Sequence, residues 1–308
     1  MAQHGISRPT DEIVRHPPQP HDIWRPDLLT GILTLTFATA PGQFVSPGTG
    51  RLALTEEGAT AVVAQQAARA AGIPVLPGSG IKGAVRTNYE ILSLSCDPFA
   101  RADRSHRDEE HCSRWSCCEA CTLFGVPGWS GRVSFGEATP VSAEAVEIRI
   151  EEVPTPWLPH ADKTRGDFRI YDLAEAVYLD EDTRSWQKRD KDLTRETYRG
   201  TFEGRMTFWN ATTEELGRLL LAMGLGADDE TRFHLRLGGV KYDGKGAVTV
   251  TPQSLRMSRS TGGRAVRPLD CGATRQRCAD WIAAAKASSW AEKFWPTLRE
   301  LARTLEKT

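Results

Sequence analysis

The sequence lacks a long apolar run. No stretch approaches the roughly 18 residues that a membrane-spanning helix needs, and the proline-, histidine- and charge-containing N-terminus has no apolar signal-peptide core. It also lacks an excess of either charge, with 39 basic and 40 acidic residues. These absences predict a cytoplasmic protein without membrane contact. Because a bulk basic field is excluded, any nucleic-acid contact must come from individually placed side chains and backbone N–H groups.

Cysteine is unevenly distributed: five of the seven cysteines lie between positions 96 and 121. Such clustering in a cytoplasmic chain predicts a metal site before disulfides, and Cys118-x-x-Cys121 has the knuckle spacing of tetrahedral zinc. Four protein ligands would leave no position for water, so the site is predicted to be structural, organising an insert too polar to bury its own core. The simplest ligand set is Cys96, Cys112, Cys118 and Cys121. Cys117 could replace Cys118 if the knuckle is abandoned, and His111 could replace Cys96.

Hydrophobic periodicity divides the rest of the chain. Strands are predicted at 30–39, 132–153 (two strands, broken near 140), 199–209, 233–237 and 247–251. Helices are predicted at 58–72, 81–94, 212–223 and 273–305, the last interrupted at Pro296. Residues 1–27 indicate a loosely ordered arm, 95–130 a cysteine-rich insert and 154–198 an excursion from the sheet. This order favours an α+β fold, a ferredoxin-like core in which helices cover one face of a four-stranded antiparallel sheet.

Residues 76–86, LPGSGIKGAVR, combine a glycine turn with the start of a helix. The free N–H groups of a helix N-terminus favour an anion, and Ser79 can cap the helix or donate to a phosphate oxygen. Lys82 and Arg86 are four residues apart and are expected to project from one face. The segment suits one or two phosphates, although a glycine turn before an ordinary amphipathic helix would look the same.

Residues 238–246, GGVKYDGKG, form a second glycine-rich segment directly after a predicted strand. Glycines such as Gly238 and Gly239 would let another chain's backbone approach closely. Lys241 and Lys245 supply charge, and Tyr242 could stack on a base. The alternative is a flexible hairpin with lysines along its edges.

Taken together and in this order, the motifs resemble the RAMP superfamily, in particular the Cas7-like (Csm/Cmr-type) subunits of type III CRISPR effector complexes. LPGSGIKGAVR resembles that family's PGSS-K-G-hydrophobic-R motif, with Gly80 where Ser is usual. CTLFG at 121–125 resembles its C-x-LFG box, and LRLGGVKYDGKG its C-terminal glycine-rich loop. The motifs span most of residues 30–251, and the terminal segments 1–27 and 260–308 have no counterpart in them.

The resemblance implies a modified RRM core that binds CRISPR RNA, and through it target RNA, and that stacks with other Cas7-like and effector subunits. The domain is placed at 28–260, between the arm and a C-terminal helical extension at 261–308, with a zinc-binding insert just before the LFG box. The excursion 154–198 would correspond to the family's thumb. Guide-backbone contacts carry over to Ser79, Lys82 and Arg86, and to the glycine loop with Lys241 and Lys245.

Family subunits that cut target RNA carry an Asp between the first strand and the PGSS motif. Segment 40–76 has none; its acids are Glu56 and Glu57, which are expected to lie in the first turn of the predicted helix 58–72. A subunit that holds RNA without cutting it is therefore expected, with Glu56 or Glu57 as the substitute catalytic acids if it does cut. The alternatives are a ribonuclease of the same superfamily, with His160 or His234 as general base, and a zinc-stabilised protein-assembly module.

Overall fold

A computed structural model describes residues 5–7, 13–18, 21–57, 60–96, 112–154, 167–169, 177–179, 186–188, 192–241, 244–258 and 267–306. The strands are β1 (Gly5–Ser7), β2 (Leu29–Thr39), β3 (Gly48–Glu57), β4 (Thr60–Ala67), β5 (Arg69–Ala70), β6 (Ile73–Pro74), β7 (Gly125–Val126), β8 (Trp129–Ser130), β9 (Val133–Phe135), β10 (Thr139–Pro140), β11 (Val146–Pro154), β12 (Asp167–Arg169), β13 (Val177–Leu179), β14 (Trp186–Lys188), β15 (Asp192–Ala211), β16 (Leu235–Arg236) and β17 (Ala247–Met257). The helices are α1 (Gly78–Ile91), α2 (Glu119–Phe124), α3 (Thr213–Ala222), α4 (Cys271–Ala287) and α5 (Ser289–Glu306). The predicted α+β class is confirmed.

The main sheet is organised around β15, which is 20 residues long. Its second half pairs antiparallel with β2 on one side and with β9 and β10 on the other, and β2 in turn pairs with β17 and β17 with β16. Its first half pairs antiparallel with β11 and parallel with β4, beyond which lies β3. The sheet is therefore mixed and larger than the four antiparallel strands predicted.

The core lies between the main sheet and the helices. Strand β2 alternates buried and partly buried residues, which is the period-2 pattern of a strand with one face against a core. The helix-facing side chains of the central strands, all at most 1% exposed, are Leu33, Leu35, Phe37, Phe202, Met206 and Phe208. The opposite face of the same strands presents polar groups such as Thr36 and Arg205, which are partly or fully exposed.

The predicted helix at 212–223 is confirmed as α3, and its start is fixed by a capping box. The Thr212 hydroxyl accepts from the backbone N–H of Glu215, while the Glu215 carboxylate accepts from the N–H of Thr212. Leu219 and Leu220 lie in the core. The helix is also buried on its other sides because α4 covers it.

The prediction of a helix at 58–72 is wrong. In the structure β3 and β4 form an antiparallel pair, with Glu57 opposite Thr60, and β5 follows. The alanines favoured a helix by intrinsic propensity, but pairing with β3 and β15 overrides it: Ala64 and Ala67 are buried against the sheet. Glu56 and Glu57 therefore end a strand and do not begin a helix.

The strand predicted at 199–209 begins earlier than expected, at Asp192. Residues 192–200 pair in register with β11, from Pro154 opposite Asp192 to Gly200 opposite Val146. The excursion is thus entered and left through two adjacent strands, and its last seven residues belong to the main sheet. The sequence missed this because both faces of 195–198 are buried, so the polar residues there gave no alternating pattern.

Both terminal segments pack on the core where they are described. In the arm, Val14 donates to the Leu94 carbonyl, His16 exchanges two backbone hydrogen bonds with Cys117, and Asn210 donates to the Ile23 carbonyl. The stretches 13–18 and 21–28 are therefore not the loosely ordered arm that was expected. At the other end, the helical break lies at Ser288, between α4 and α5, and not at the predicted Pro296, which lies inside α5.

We expect Gly217→Ala to destabilise the protein by about 1–3 kcal/mol, the usual range for overpacking a close-packed core. A Cβ on Gly217 would lie 2.1 Å from the Trp281 carbonyl oxygen, where α3 meets α4. The matched control is Gly83→Ala on α1, where a Cβ meets nothing within 4 Å and the better helix propensity of alanine favours folding. Urea unfolding of both variants measures the difference, and equal stabilities would contradict close α3–α4 packing.

Candidate nucleic-acid interface and metal centre

The four cysteines of the simplest predicted ligand set come together. The Sγ atoms of Cys96, Cys112, Cys118 and Cys121 all lie within 4.8 Å of one another, and all four residues are buried. Cys96 Sγ lies 3.5 Å from Cys121 Sγ and 3.7 Å from the sulfurs of Cys112 and Cys118. With a Zn–S bond of about 2.3 Å, the edge of a tetrahedron of sulfurs is about 3.8 Å. The cluster could hold a metal ion.

The four cysteines come from three separate segments of the chain. Cys96 follows the end of α1, Cys112 precedes a tight turn in which Ser113 and Ser116 exchange backbone hydrogen bonds, and Cys118 is the N-cap of α2. Cys121 lies within the first turn of that helix, so the Cys-x-x-Cys spacing places both sulfurs on one side. Cys96 is distant in sequence from the other three cysteines, and the packing of the insert against α1 brings them together.

Interactions among the four sulfurs lower the pKa of Cys118 and Cys112 and raise the pKa of Cys96 and Cys121. Sulfur hydrogen bonds from Cys112, then Cys121 and Cys96, hold the pKa of Cys118 well below its usual value. The backbone N–H groups of Cys96 and Cys118 point at Cys118 Sγ and Cys112 Sγ, at 3.5 and 3.1 Å. Thiolates are the form that binds metal, and the surroundings favour that form at Cys118 and Cys112.

The alternative ligands are placed differently. Cys117 Sγ donates to the Ser113 carbonyl at 2.9 Å and is not among the four converging sulfurs. His111 lies outside the described residues.

Helix α1 begins as an open anion-binding terminus. Its N-cap is Pro77, with no side-chain cap hydrogen bond and no acid in the first turn. The N–H groups of Gly80 and Ile81 both donate to the Pro77 carbonyl, so the N–H groups of Gly78 and Ser79 are the ones without an acceptor in their own helix. Ser79 and Gly80 are exposed there. Gly78 is the exception: a Cβ on it would lie 2.1 Å from the Phe135 carbonyl oxygen. Packing against β9 therefore requires that glycine.

Lys82 and Arg86 lie on neighbouring turns but have different surroundings. Lys82 is partly buried, and no hydrogen bond or ion pair joins it to any residue within the described ranges. Burial, and secondarily the charge of Arg86, lower its pKa, so a nearby anion would relieve the cost of its charged form.

Arg86 instead makes contacts inside the protein. Its guanidinium bonds Glu90 at 2.7 Å, the Gly125 carbonyl at 2.9 Å and Cys121 Sγ at 3.4 Å. The sequence placed Arg86 beside Lys82 on an RNA-facing surface. In the structure it links α1 to a metal-ligand candidate and to the glycine of the LFG box, and its charge compensates that of the sulfurs.

The glycine loop at 238–246 packs against the segment that follows β2. Gly239 N–H donates to the Ser46 carbonyl and Gly246 N–H to the Phe44 carbonyl, both at 2.9 Å. Gly238 and Gly246 both have φ near +88°, and a Cβ on Gly238 would lie 2.9 Å from the Ser46 nitrogen. These glycines are thus required by the chain's own fold, whether or not another backbone approaches the loop.

The two loop lysines lie on this support. Lys241 is partly buried, burial lowers its pKa, and no hydrogen bond or ion pair connects it to the described part of the chain. Lys245 Nζ lies 5.6 Å from the centre of the Phe44 ring, a cation–π arrangement. Tyr242 lies outside the described residues.

Three backbone hydrogen bonds connect the glycine loop to the start of α1. Gly239 bonds Ser46, Ala68 N–H donates to the Pro47 carbonyl at 2.7 Å, and Val75 N–H donates to the Ala68 carbonyl at 3.1 Å. Val75 lies two residues before the N-cap of α1. The two motifs are therefore joined through a short continuous support, which neither motif revealed by itself.

The candidates for catalysis are dispersed. Glu56 and Glu57 end β3, and segment 40–76 supplies no aspartate. His234 Nδ1 lies 2.8 Å from a Glu306 carboxylate oxygen at the end of α5, and His160 lies outside the described residues. Within the described ranges, no general base is brought together with the two lysine-bearing motifs.

Sequence reasoning missed two residues beneath the glycine loop. Phe44 is buried, and the cationic groups of Arg199 and Lys245 lie 5.5 and 5.6 Å from the centre of its ring. Arg195 is buried on β15 with its Nη1 against the loop: a Cβ on Gly239 would lie 3.1 Å from that atom. Neither had a sequence signal, because 195 fell in the excursion and 44 in a turn-rich stretch.

Fold and site define a mixed α+β protein with a buried tetracysteine cluster and two linked backbone elements, whose lysines make no ion pair with the described residues. Within the described residues, no helix is long and apolar enough to cross a membrane. No curated protein matches the chain. The model of the RAMP superfamily matches residues 45–248, which is 204 of the 308 residues. The chain belongs to the RAMP superfamily, whose members are in general CRISPR-associated proteins that bind CRISPR RNA within multi-subunit complexes.

Proposed function

We propose that this chain is a Cas7-like backbone subunit of a type III CRISPR ribonucleoprotein, acting in antiviral defence by binding CRISPR RNA. The observation that carries the proposal is that the two motifs are linked by three backbone hydrogen bonds. One motif is the uncapped start of α1 with Ser79 and Lys82. The other is the glycine loop with Lys241 and Lys245. Free N–H groups and unpaired ammonium groups suit a phosphate backbone. In this proposal Arg86 does not contact RNA; its contacts inside the protein position α1.

A ferredoxin-like (modified RRM) core accompanies this function. Strand order β17-β2-β15-β9, antiparallel throughout, supports it. So does the chain order, in which α1 lies between β2 and β9 and α3 lies between β15 and β17. We place the domain at 28–260 and propose that the excursion between β11 and β15 is a thumb reaching the guide–target duplex. The exposed polar sheet face and the ends of the domain would meet other Cas7-like and effector subunits.

We further propose that the metal is structural zinc and that the subunit holds target RNA without cutting it. The four-sulfur donor set and the Arg86 contact support zinc. The absence of aspartate from 40–76 supports a non-cleaving role. A RAMP-family endoribonuclease acting on target or guide is the alternative, and metal-dependent cutting of a guide-complementary RNA would establish it. Failure of the purified protein to bind RNA in a salt-dependent manner would favour the protein-assembly module.

Replacing Lys82 with alanine is expected to weaken single-stranded RNA binding about tenfold, the contribution of one charge-assisted hydrogen bond. The loss should be similar for unrelated sequences, and the slope of log affinity against log salt should fall by about 0.7. Fluorescence anisotropy at several salt concentrations measures both. Arg303→Ala on α5 is the matched control because Arg303 is exposed and carries the same charge. An equal effect in both variants would mean that only net charge matters.

A further inference from the structure

Arg195 differs from the other buried arginines of the described residues. Arg132 pairs with Glu215 and bonds the Asn210 carbonyl, and Arg218 pairs with Glu119. Arg236 donates to two backbone carbonyls. Arg195 is equally buried, at 8% exposed, yet no hydrogen bond or ion pair joins its guanidinium to any residue in the described ranges. A buried charge without a partner is costly, so a counter-anion from outside the described chain is expected.

The acids around Arg195 are already engaged. Glu151, directly opposite it on β11, pairs with Arg199. Glu196, the next residue along β15, pairs with Arg69 and accepts from the Ala67 N–H. Neither carboxylate bonds Arg195.

The guanidinium of Arg195 lies beside two glycines, which have no side chains to cover it. Its Nη1 would be 3.1 Å from a Cβ on Gly239 and 3.9 Å from one on Gly48. Gly239 belongs to the glycine loop, and two residues further along that loop is Lys241, a partly buried ammonium that also has no described partner. A guanidinium beside open backbone, with a lysine two residues along the same loop, suits the tetrahedral oxygens of a phosphate.

We propose that Arg195, from beneath the glycine loop and together with Lys241, binds one phosphate of the RNA backbone. This rests on the proposed RNA-binding function and adds to it a residue on β15, outside both sequence motifs. The site is built into the sheet: Arg195 is fixed by the β11 and β4 pairings on either side. The bound phosphodiester neutralises a charge that has no partner in the described part of the chain.

The test compares Arg195→Met with Arg132→Met in the full-length chain. Methionine keeps the apolar stem and removes the charge. Without phosphate, Arg195→Met should keep or raise the Tm, because an unpaired buried charge is removed. Arg132→Met should lower the Tm by several degrees, because it leaves the buried carboxylate of Glu215 unpaired. A fall in Tm for Arg195→Met as large as that for Arg132→Met would show an internal partner and overturn the proposal.

Binding of two ligands, a single-stranded RNA and inorganic phosphate, then shows whether the anion belongs to RNA or is a free phosphate. A single-stranded RNA should bind Arg195→Met on the order of tenfold more weakly than wild type, while Arg195→Lys restores part of the affinity. Inorganic phosphate, compared with chloride at equal ionic strength, should raise the Tm of wild type but not of Arg195→Met. Loss of the phosphate effect with unchanged RNA affinity would assign the site to a free anion. Unchanged responses to both would remove the site altogether.

Failure of this inference is distinguishable from failure of the proposed function. If wild-type protein binds RNA and Arg195→Met binds it equally well, RNA binding stands and Arg195 has no part in it. If wild-type protein binds no RNA, both fail, and the phosphate response of Arg195 then reports only a site for a small anion.

Discussion

Cys118→Ser should abolish the proposed metal binding and lower the Tm on the order of 10 °C. Cys118 contacts two of the other three cysteines of the cluster. Its sulfur lies 3.7 Å from Cys96 Sγ, and its backbone N–H donates to Cys112 Sγ. Structural zinc contributes roughly 10–16 kcal/mol of binding free energy in small zinc domains. Loss of a metal site belongs with the mutations that cost more than about 4 kcal/mol, and each kcal/mol shifts the Tm by about 2–4 °C in a large domain.

The adjacent cysteine is the matched control. Cys117 is as buried as Cys118, but its sulfur donates to the Ser113 carbonyl, which a serine hydroxyl can also do. Cys117→Ser should therefore keep one zinc per chain, measured by elemental analysis, and nearly the wild-type Tm. Equal metal loss in both variants, or retention of zinc by Cys118→Ser, would show that the ligand set is wrong. Absence of metal from wild-type protein purified without chelator would remove the centre.

The metal and the proposed RNA site are expected to be coupled. Arg86 bonds Cys121 Sγ and the Gly125 carbonyl from α1, the helix whose N-terminus carries Ser79 and Lys82. Loss of metal frees Cys121 and with it one of the contacts that orient α1. RNA affinity of Cys118→Ser should thus fall below that of Cys117→Ser even at temperatures where both remain folded.

The sequence predicted best where a local rule decides the structure. The Cys-x-x-Cys spacing with two upstream cysteines identified the four sulfurs that converge. The predicted helix at 212–223 is found as α3, which a capping box starts, and the alternation in 30–39 predicted the central strand β2. Each signal depends on residues a few positions apart, so no knowledge of the fold was needed.

It failed where tertiary contacts decide. Strand β4 has a helix-forming composition, and its pairing with β3 and β15 makes it a strand. Arg86 is four residues from Lys82, but Glu90 and the cysteine centre draw it inward. Arg195 lies in a polar stretch whose burial arises only when β11, β4 and the glycine loop surround it. Such burial has no local pattern in the chain.

Trp281→Ala should destabilise the protein by about 3–5 kcal/mol, as expected for removing a fully buried tryptophan. The reason is that the C-terminal helices complete the core. Trp281 on α4 is 2% exposed, and its ring meets that of Phe208 on β15 edge to face, with centroids 5.9 Å apart. On α5, Trp290 donates from Nε1 to the Leu92 carbonyl at 2.6 Å, which holds the end of α1 near the cysteine cluster.

The same substitution at an exposed tryptophan provides the control. Trp115 in the turn after Cys112 is 70% exposed, so Trp115→Ala should change the free energy of unfolding by no more than about 0.5 kcal/mol. Urea unfolding followed by far-UV circular dichroism compares both with wild type. The sequence suggested that 261–308 is an extension added to a finished domain, in which case the two variants would be alike. A cost confined to Trp281→Ala would mean that the folding unit extends through α4 and α5, beyond residue 248, where the family match ends.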